Sequence, residues 1–586
     1  MYLRTVKNSS DEGAYEYVRL VESYRESGKV KQRVVCTLGR KDLLAPHLPA
    51  LVRILQGEKG DSLGISAGRV EAVGAWDWGP FRVAQEFFAK LGLWEILDAC
   101  AGKATRFADR VFALVANRLC CPTSEHGLAR WLETDFVCDR RGDRILPQWR
   151  TDEKRLKSRS PRVRVKSSQL RAWYRTLDEL LAEKSDIERQ LFLRLRTLFS
   201  LKADLVFYDI TSSYFEGHGP PMAKHGHSRD GKPRNRQIVV GLVVVDGWPI
   251  AHHIFEGNKR DAMTVPEVVR DVHDRFGIAR MIFVGDRGMV TSDNVAFLRE
   301  AQQGYVVGLN RRRSERVYQY IESAKGPWQD CPLGKAASES ANPERTRVQE
   351  VPSDEPGVRV FVAHSEERLR YERTQREVSM ERVRKKLELL QRRIEKGKLR
   401  APEKVGAAAA RVLGEHHGDR YYSWEYGEGR FRYFEHPVNL PREKAYEGKY
   451  VIQTEEKSLT PVDAVRVYKE LSEVERAFSR MKDVIEMRPI FHKKDERVKA
   501  HVFVAALAFL IDRALEKALK TARLDVSSRE SWQLLRSVRV VDIDLGNGQT
   551  KRSVTRGSKR VEAILRAIPI VDLAPPTTKS GGPDPL

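Results

Sequence analysis

Three acidic residues stand where their types and spacing could do chemistry. Asp209 closes the apolar run LVFYD, Asp286 closes MIFVGD, and Glu475 lies inside YKELSEVERAFSRMK. Carboxylates are the hard oxygen ligands that Mg²⁺ and Mn²⁺ prefer. Two such ions about 4 Å apart activate a nucleophilic oxygen and stabilise the leaving oxygen in a phosphodiester displacement. Each acid also has a plainer reading. A strand-end Asp often serves a turn or a helix cap, and Glu on an exposed helix is usually solvated. Steps of seven residues separate Tyr468, Glu475 and Lys482, which puts all three on one helix face.

The elements that must position these residues can be read from periodicity. ADLVFYDI, QIVVGLVVVDG and WPIAHHIFEG read as strands able to form a meander. TVPEVVRDVHDRFG is helical, ARMIFVGD a strand, SDNVAFLREAQQ a helix and GYVVGLN a strand. That order predicts a mixed sheet, with the later strands reached through helical crossovers. From Arg311 the pattern breaks for about 135 residues, too long for a loop and more in keeping with an inserted subdomain. Within it Met380, Val383, Leu387, Leu390 and Ile394 repeat at 3-4-3-4 spacing, a coiled-coil seam open to dimerisation or to an intrachain helical hairpin. SWEYGEGRFRYFE reads as a hairpin. The strand KYVIQT and the helix from Val462 to Lys482 follow, and the apolar helix His501–Ala522 is expected to be buried.

At the N-terminus, AYEYVRLVESY and KVKQRVVCTLG read as strands joined at RESGK. Residues 46–70, with their prolines and glycines, read as a linker before helical spacing begins near Gly79. At the other end, VRVVDIDLGNGQTKRSVTR reads as a hairpin turning at Asn547-Gly548, and the tail PPTTKSGGPDPL is expected to be disordered.

Charge narrows the partner. The 586 residues carry 104 Lys+Arg against 81 Asp+Glu, a net charge of +23, which predicts attraction to polyanions. Thirteen basic residues and three acids fall between Arg140 and Arg175. The core of that stretch, with Arg155, Lys157, Arg162, Arg164 and Lys166, reads either as a solvated loop or as a DNA-backbone contact. The best apolar run, Val502–Ile511, is too short for a spanning helix, which needs about 20 residues. No signal-peptide pattern opens the chain, and the six cysteines form no CxxC pair. A reduced cytoplasmic setting and a nucleic-acid partner are therefore expected, with no membrane. No Walker-type GxxxxGK[ST] occurs, so ATP is not expected. The pairs His225/His227, His252/His253 and His416/His417 lack partners at zinc spacing.

LVFYDITSSYFEG, FVGDRGMVTSDN and YKELSEVERAFSRMK, in this order, resemble the signature blocks of bacterial insertion-sequence transposases of the DDE type. The resembling subgroup has a large insertion between the second Asp and the Glu, and a Tyr-x2-Arg-x3-Glu-x6-Lys motif. Here the motif reads Tyr468, Leu471, Glu475, Lys482, with Leu471 in place of Arg. HSRDGKPRNRQIVVGL, HHIFEGN and EGKYVIQT are similar to the family as well, and the likeness extends over most of residues 1–570.

The resemblance implies an RNase H-like core and two Mg²⁺ ions (Mn²⁺ possible) held by Asp209, Asp286 and Glu475. Water would hydrolyse a strand at the transposon end, and the freed 3′-OH would attack a second phosphodiester. It further implies phosphate contacts from Tyr468, Lys482, Arg287 and the neighbouring Arg476, and a stacking role for an aromatic of the insertion, for which Trp424 is the candidate beside ordinary sheet packing. Terminal inverted repeats and target DNA are the implied partners, a homodimer the implied assembly, and the bacterial nucleoid the implied location.

The expected α/β architecture is thus an RNase H-like mixed-sheet core interrupted by an inserted subdomain, with N-terminal β and helical DNA-binding regions. Its expected parts are a β meander (1–45), a linker and mainly helical DNA-binding region (46–200), the first half of the core (201–310), the insertion (311–445), the second half (446–530), a C-terminal hairpin and helix (531–575) and a tail (576–586). Two alternatives remain at this point: a structure-specific nuclease with the same core, and a catalytically silent DNA-binding descendant of a transposase.

Overall fold

The computed structural model describes the chain except residues 1, 11–12, 27–28, 45–70, 102–105, 152–162, 166, 202–203, 286–288, 290, 310–313, 333–344, 484, 489, 546–549, 569, 571–572 and 575–586. The linker 46–70, the turn at Asn547-Gly548 and the tail therefore lie outside the described residues.

The N-terminal region is an antiparallel meander of β1 (Tyr2–Ser10), β2 (Gly13–Glu26) and β3 (Lys29–Arg40). Its first strand is one more than periodicity suggested. A strand not expected at all, β4 (Glu71–Asp77), precedes the helices α1 (Gly79–Lys90), α2 (Leu93–Cys100), α3 (Phe107–Cys120) and α4 (Leu128–Thr134). The short pair β5 (Trp149–Thr151) and β6 (Val163–Val165) and the helices α5 (Ser167–Ala182) and α6 (Lys184–Phe199) follow.

The chain then builds a large mixed sheet. The meander β7 (Leu205–Tyr214), β8 (Gln237–Val245), β9 (Trp248–Glu256) leads through α7 (Val265–Phe276) to β10 (Ile282–Gly285), and through α8 (Ser292–Glu300) to β11 (Gly304–Gly308). Helix α7 shows how locally this is specified. Pro266 opens it, Gly277 at φ 65 closes it, and Val265, Val268, Val269, Val272 and Phe276 form its buried stripe. Beyond α9 (Glu315–Ser323) come β12 (Gln329–Cys331), β13 (Thr346–Val351), β14 (Arg359–Ser365) and, much later, after α12 (Asn439–Tyr446), β17 (Lys449–Thr454). The sheet order is β12-β13-β14-β17-β11-β10-β7-β8-β9. Strand β10 is parallel to β7 and β11, and the other neighbours are antiparallel.

Both faces of this sheet are covered, and the strand sequences record it. All nine residues of β8 are buried, as expected of a strand packed on two sides. Ile238, Val240, Leu242 and Val244 join one core, while Val239, Val243 and Val245 join the other. On the first face lie α13 (Pro461–Asp483) and α14 (Asp495–Thr521). Helix α14 is apolar nearly all round because α3, α5 and β9 enclose it.

Residues 311–445 do not form a wholly separate insertion. Strand β14 pairs with β17 along its length, so β12, β13 and β14 extend the central sheet. What stands apart is the hairpin of α10 (Glu366–Glu395) and α11 (Pro402–Glu415), covered by β15 (Tyr422–Gly427) and β16 (Arg430–Glu435). Met380, Val383, Leu387, Leu390 and Ile394 are buried there with Val405, Ala409 and Leu413. The seam is thus consumed inside the chain, where each such side chain contributes roughly 1.5–3 kcal/mol on burial. The C-terminal hairpin of β18 (Arg539–Asp544) and β19 (Thr550–Val554) is not independent either, because β18 also pairs with β4.

Candidate active site

Helix α13 carries Tyr468, Glu475 and Lys482, and its buried side fixes where they point. Ala464, Val465, Val467, Leu471, Val474, Ala477, Phe478 and Met481 are buried in the core on the first face of the sheet. Phe207 of β7 belongs to that core, whereas Val206, Tyr208 and Ile210 belong to the opposite one. Strand alternation therefore turns Asp209 and Thr211 toward α13. Lys482 confirms the direction: its Nζ donates to Thr211 Oγ1 at 2.6 Å.

Asp209 is half-buried, and its Oδ1 accepts the backbone N–H of Ile210 at 2.8 Å. Glu475 is exposed, on the wall of a cleft of about 600 Å³ that it shares with Arg368, Tyr371, Tyr468, Lys469 and Leu471. Tyr468 stacks on Tyr450 with ring centroids 5.9 Å apart, and it lies against the end of β11 only because residue 308 is glycine. A Cβ there would sit 2.2 Å from the Tyr468 hydroxyl. Leu471 is 5% exposed. The guanidinium on this wall comes from Arg368, on the inserted helix α10, where Glu372 accepts its Nε–H at 2.9 Å.

Lys482 is nearly enclosed. Besides Thr211 it donates to Asp230 Oδ1 at 2.9 Å, and Arg488 pairs with the other oxygen of Asp230 at 3.0 Å. Burial lowers the Lys482 ammonium below the usual lysine range, although Asp230 opposes the shift. Arg476 faces elsewhere, toward α14, where it lines a small cavity with Arg480, Arg513 and Glu516. Arg480 itself is held by Asp512 at 2.9 Å and by the Ser528 hydroxyl at 2.8 Å. Trp424 packs within the subdomain. Its ring stacks on Phe431 at 5.9 Å and lies over Gly406.

Asp286 and Arg287 lie outside the described residues, although β10, which leads to them, lies beside β7. Arg155, Lys157, Arg162 and Lys166 also lie outside them, and Arg164 sits in β6, opposite Arg150.

Sequence reasoning missed Thr211, Asp230 and Arg488. Asp230 sits in HSRDGKPRNRQIVVGL, a segment noticed only for its likeness to a family. It also missed two buried polar clusters. Glu188 of α6 is held by Lys184 and His252, each at 2.8 Å, and by Arg275. Glu125, His492 and His501 come together with their ligand atoms within 4.8 Å of one another, the one such grouping among the described residues. Arg118 donates to His501 Nδ1 at 3.3 Å, and His501 Nε2 lies 3.0 Å from the Met487 carbonyl. With both ring nitrogens engaged and a buried guanidinium alongside, this cluster is a hydrogen-bond network joining α3 to α14 and not a cation site.

A strand carboxylate on the sheet face that α13 covers, and a helix carboxylate on α13 beside a tyrosine-lined cleft, are the kind of oxygen donors found in metal-dependent enzymes that work on phosphodiesters. The particular family follows from comparison. The family "Transposase DDE domain" matches residues 200–511, more than half of the chain, and "IS1634 family transposase, N-terminal domain" matches residues 3–62. The chain belongs to the DDE transposases and is the DNA transposase of an insertion sequence, an enzyme of DNA cleavage and strand transfer. Domains of this family bind DNA and use divalent metal ions. A comparison with curated proteins finds no match. Among solved structures, the chain is similar to a piggyBac transposase synaptic complex with hairpin DNA, at 10% identity and a TM-score of 0.32, over 78% of this chain and 80% of that one. No helix among the described residues is long and apolar enough to cross a membrane.

Proposed function

We propose that Asp209, Asp286 and Glu475 hold two Mg²⁺ ions in an RNase H-like core made of β9-β8-β7-β10-β11 and α13. The observation that carries this reading is the Lys482–Thr211 contact, which lays the helix of Glu475 over the strand face of Asp209. The donor set suits the metal: the two described members are carboxylates, one half-buried on a strand and one open to the cleft. Bound there, the ions would supply activation of the attacking oxygen and charge stabilisation at the leaving oxygen.

The chain's own residues would do the rest. Tyr468 and Arg368, on the wall beside Glu475, orient the phosphates of the strand being cut. Lys482 braces α13 against β7. Arg287 provides a further phosphate contact. The region 46–200 binds the terminal inverted repeats, and two copies join the two ends as a homodimer at the nucleoid. Arg476 lines the cavity toward α14 and not the cleft of Glu475.

The test is an assay with purified protein, Mg²⁺ and labelled duplexes carrying the element's ends. Joined strand-transfer products are expected, and EDTA should abolish them. Cleavage without joining would favour the structure-specific nuclease. Binding without either would favour the silent DNA-binding descendant.

A further inference from the structure

The connection between β7 and β8, residues 215–236, is long for a meander and strongly basic. It carries Lys224, Arg229, Lys232, Arg234 and Arg236 against Glu216 and Asp230. It is also built into the fold. Lys224 and Gln237 exchange backbone hydrogen bonds at 3.1 and 2.9 Å, Asn235 Nδ2 donates to the Phe215 carbonyl at 2.9 Å, and the Met222 N–H donates to Asp495 at 3.0 Å. Arg229 pairs with Asp261 at 2.5 Å, and its N–H donates to the Ser212 hydroxyl at 2.9 Å.

Asp230 is the pivot. Its side chain is 7% exposed and is neutralised from within by Lys482 and Arg488. The other cations face outward. Lys224, Lys232 and Arg234 are exposed and Arg236 is half-exposed. Among the described residues, no carboxylate pairs with any of the four. Four uncompensated cations on a rigid support form a polyanion contact. Their position selects the polyanion. Thr211, the other partner of Lys482, is two residues along β7 from Asp209, about 7 Å. Lys482 is seven residues along α13 from Glu475, about 10 Å. The loop is thus fastened to both elements of the proposed reaction site.

We propose that residues 215–236 form a phosphate-binding wall of that site. Lys224, Lys232, Arg234 and Arg236 hold the backbone of the duplex being cut, and Asp230 is the positioning residue that anchors the loop. This rests on the reading of Asp209 and Glu475 as the reaction site.

The experiment measures binding of a labelled duplex carrying the element's end to the full-length protein, as a function of salt. The variant replaces Lys232, Arg234 and Arg236 by Ala. Each phosphate contact adds about 0.9 to the slope of log affinity against log salt, so the variant's slope should be shallower by roughly two to three. Its affinity deficit should be largest at low salt and shrink as salt rises. Lys232→Arg, which keeps the charge, should keep the wild-type slope. A triple variant with the wild-type slope would overturn the proposal. So would unchanged end binding with only joining to a second duplex impaired, because the wall would then serve target DNA. Binding is read without cleavage, so a failure here is distinct from a failure of the metal-site reading, which shows as wild-type protein that binds ends but does not cut them.

Discussion

Lys482 Nζ donates to Thr211 Oγ1 at 2.6 Å, and this contact ties the helix of Glu475 to the strand of Asp209. It is a charge-assisted bond made in a nearly enclosed place, where such bonds are worth about 1.5–3 kcal/mol. Lys482→Met should therefore destabilise the fold by that order. Asp230 would keep Arg488, so the loss stops short of a fully unpaired buried carboxylate. Urea melts should show the shift, and cleavage of end DNA should fall at least about ten-fold through misplacement of Glu475.

Leu471 stands at the motif position of Arg, and Arg368 lies on the wall of the same cleft. Leu471 is buried, so Leu471→Ala should cost roughly 2–4 kcal/mol. Arg368 faces the cleft, and its ion pair with Glu372 is partly exposed. Arg368→Gln should change stability by less than about 1 kcal/mol yet lower cleavage roughly ten-fold or more, if one charged phosphate contact is lost. Thermal melts and initial cleavage rates separate the two effects.

Trp424 offers a choice between packing and base stacking. Its ring already lies on Phe431 and over Gly406. Trp424→Ala should thus lower stability by roughly 2 kcal/mol while leaving joining per folded molecule unchanged, and Trp424→Phe should restore most of the loss. Impaired joining at unchanged stability would point instead to a base stacked on this ring.

Acid sensitivity should arise at His252. Burial, with Lys184 beside it, lowers its imidazole to about 4 and outweighs Glu188, which pulls the other way. Arg275 shares Glu188 and also pairs with Asp271, which lies 3.2 Å from the neighbouring His253. Unfolded chains bind the proton near pH 6.5, and the folded state resists it until about 4. The contribution is therefore complete above about 6.5 and lost as pH falls toward 4, a change of roughly 3 kcal/mol. His252→Asn should flatten the dependence of the melting midpoint on pH across that window, at the expense of lower stability at pH 7.

Much of this architecture was legible in residue order. The strand-helix alternation from Leu205 to Gly308 shows as period 2 giving way to period 3.6. The 3-4 stripe around Val474 and Met481 marks the face of α13 that must be buried, which leaves Tyr468, Glu475 and Lys482 to point elsewhere. What stayed hidden depends on partners distant in sequence. Strand β4 meets β18 across more than 460 residues, and no local pattern announces such a pairing. The join of β14 to β17 skips the whole helical hairpin, so those strands looked like part of a separate insertion. Asp230 reads as a turn residue in a polar loop, and only the tertiary fold supplies Lys482 and Arg488 to it.

The central claim is that Asp209, Asp286 and Glu475 act as one metal-holding set. The direct measurement compares Asp209→Ala, Asp286→Ala and Glu475→Ala with wild type, scoring end binding, cleavage and joining in Mg²⁺ on the same labelled duplex. Each variant should bind ends and yet neither cut nor join them. Wild-type cleavage by any one of the three would contradict the assignment.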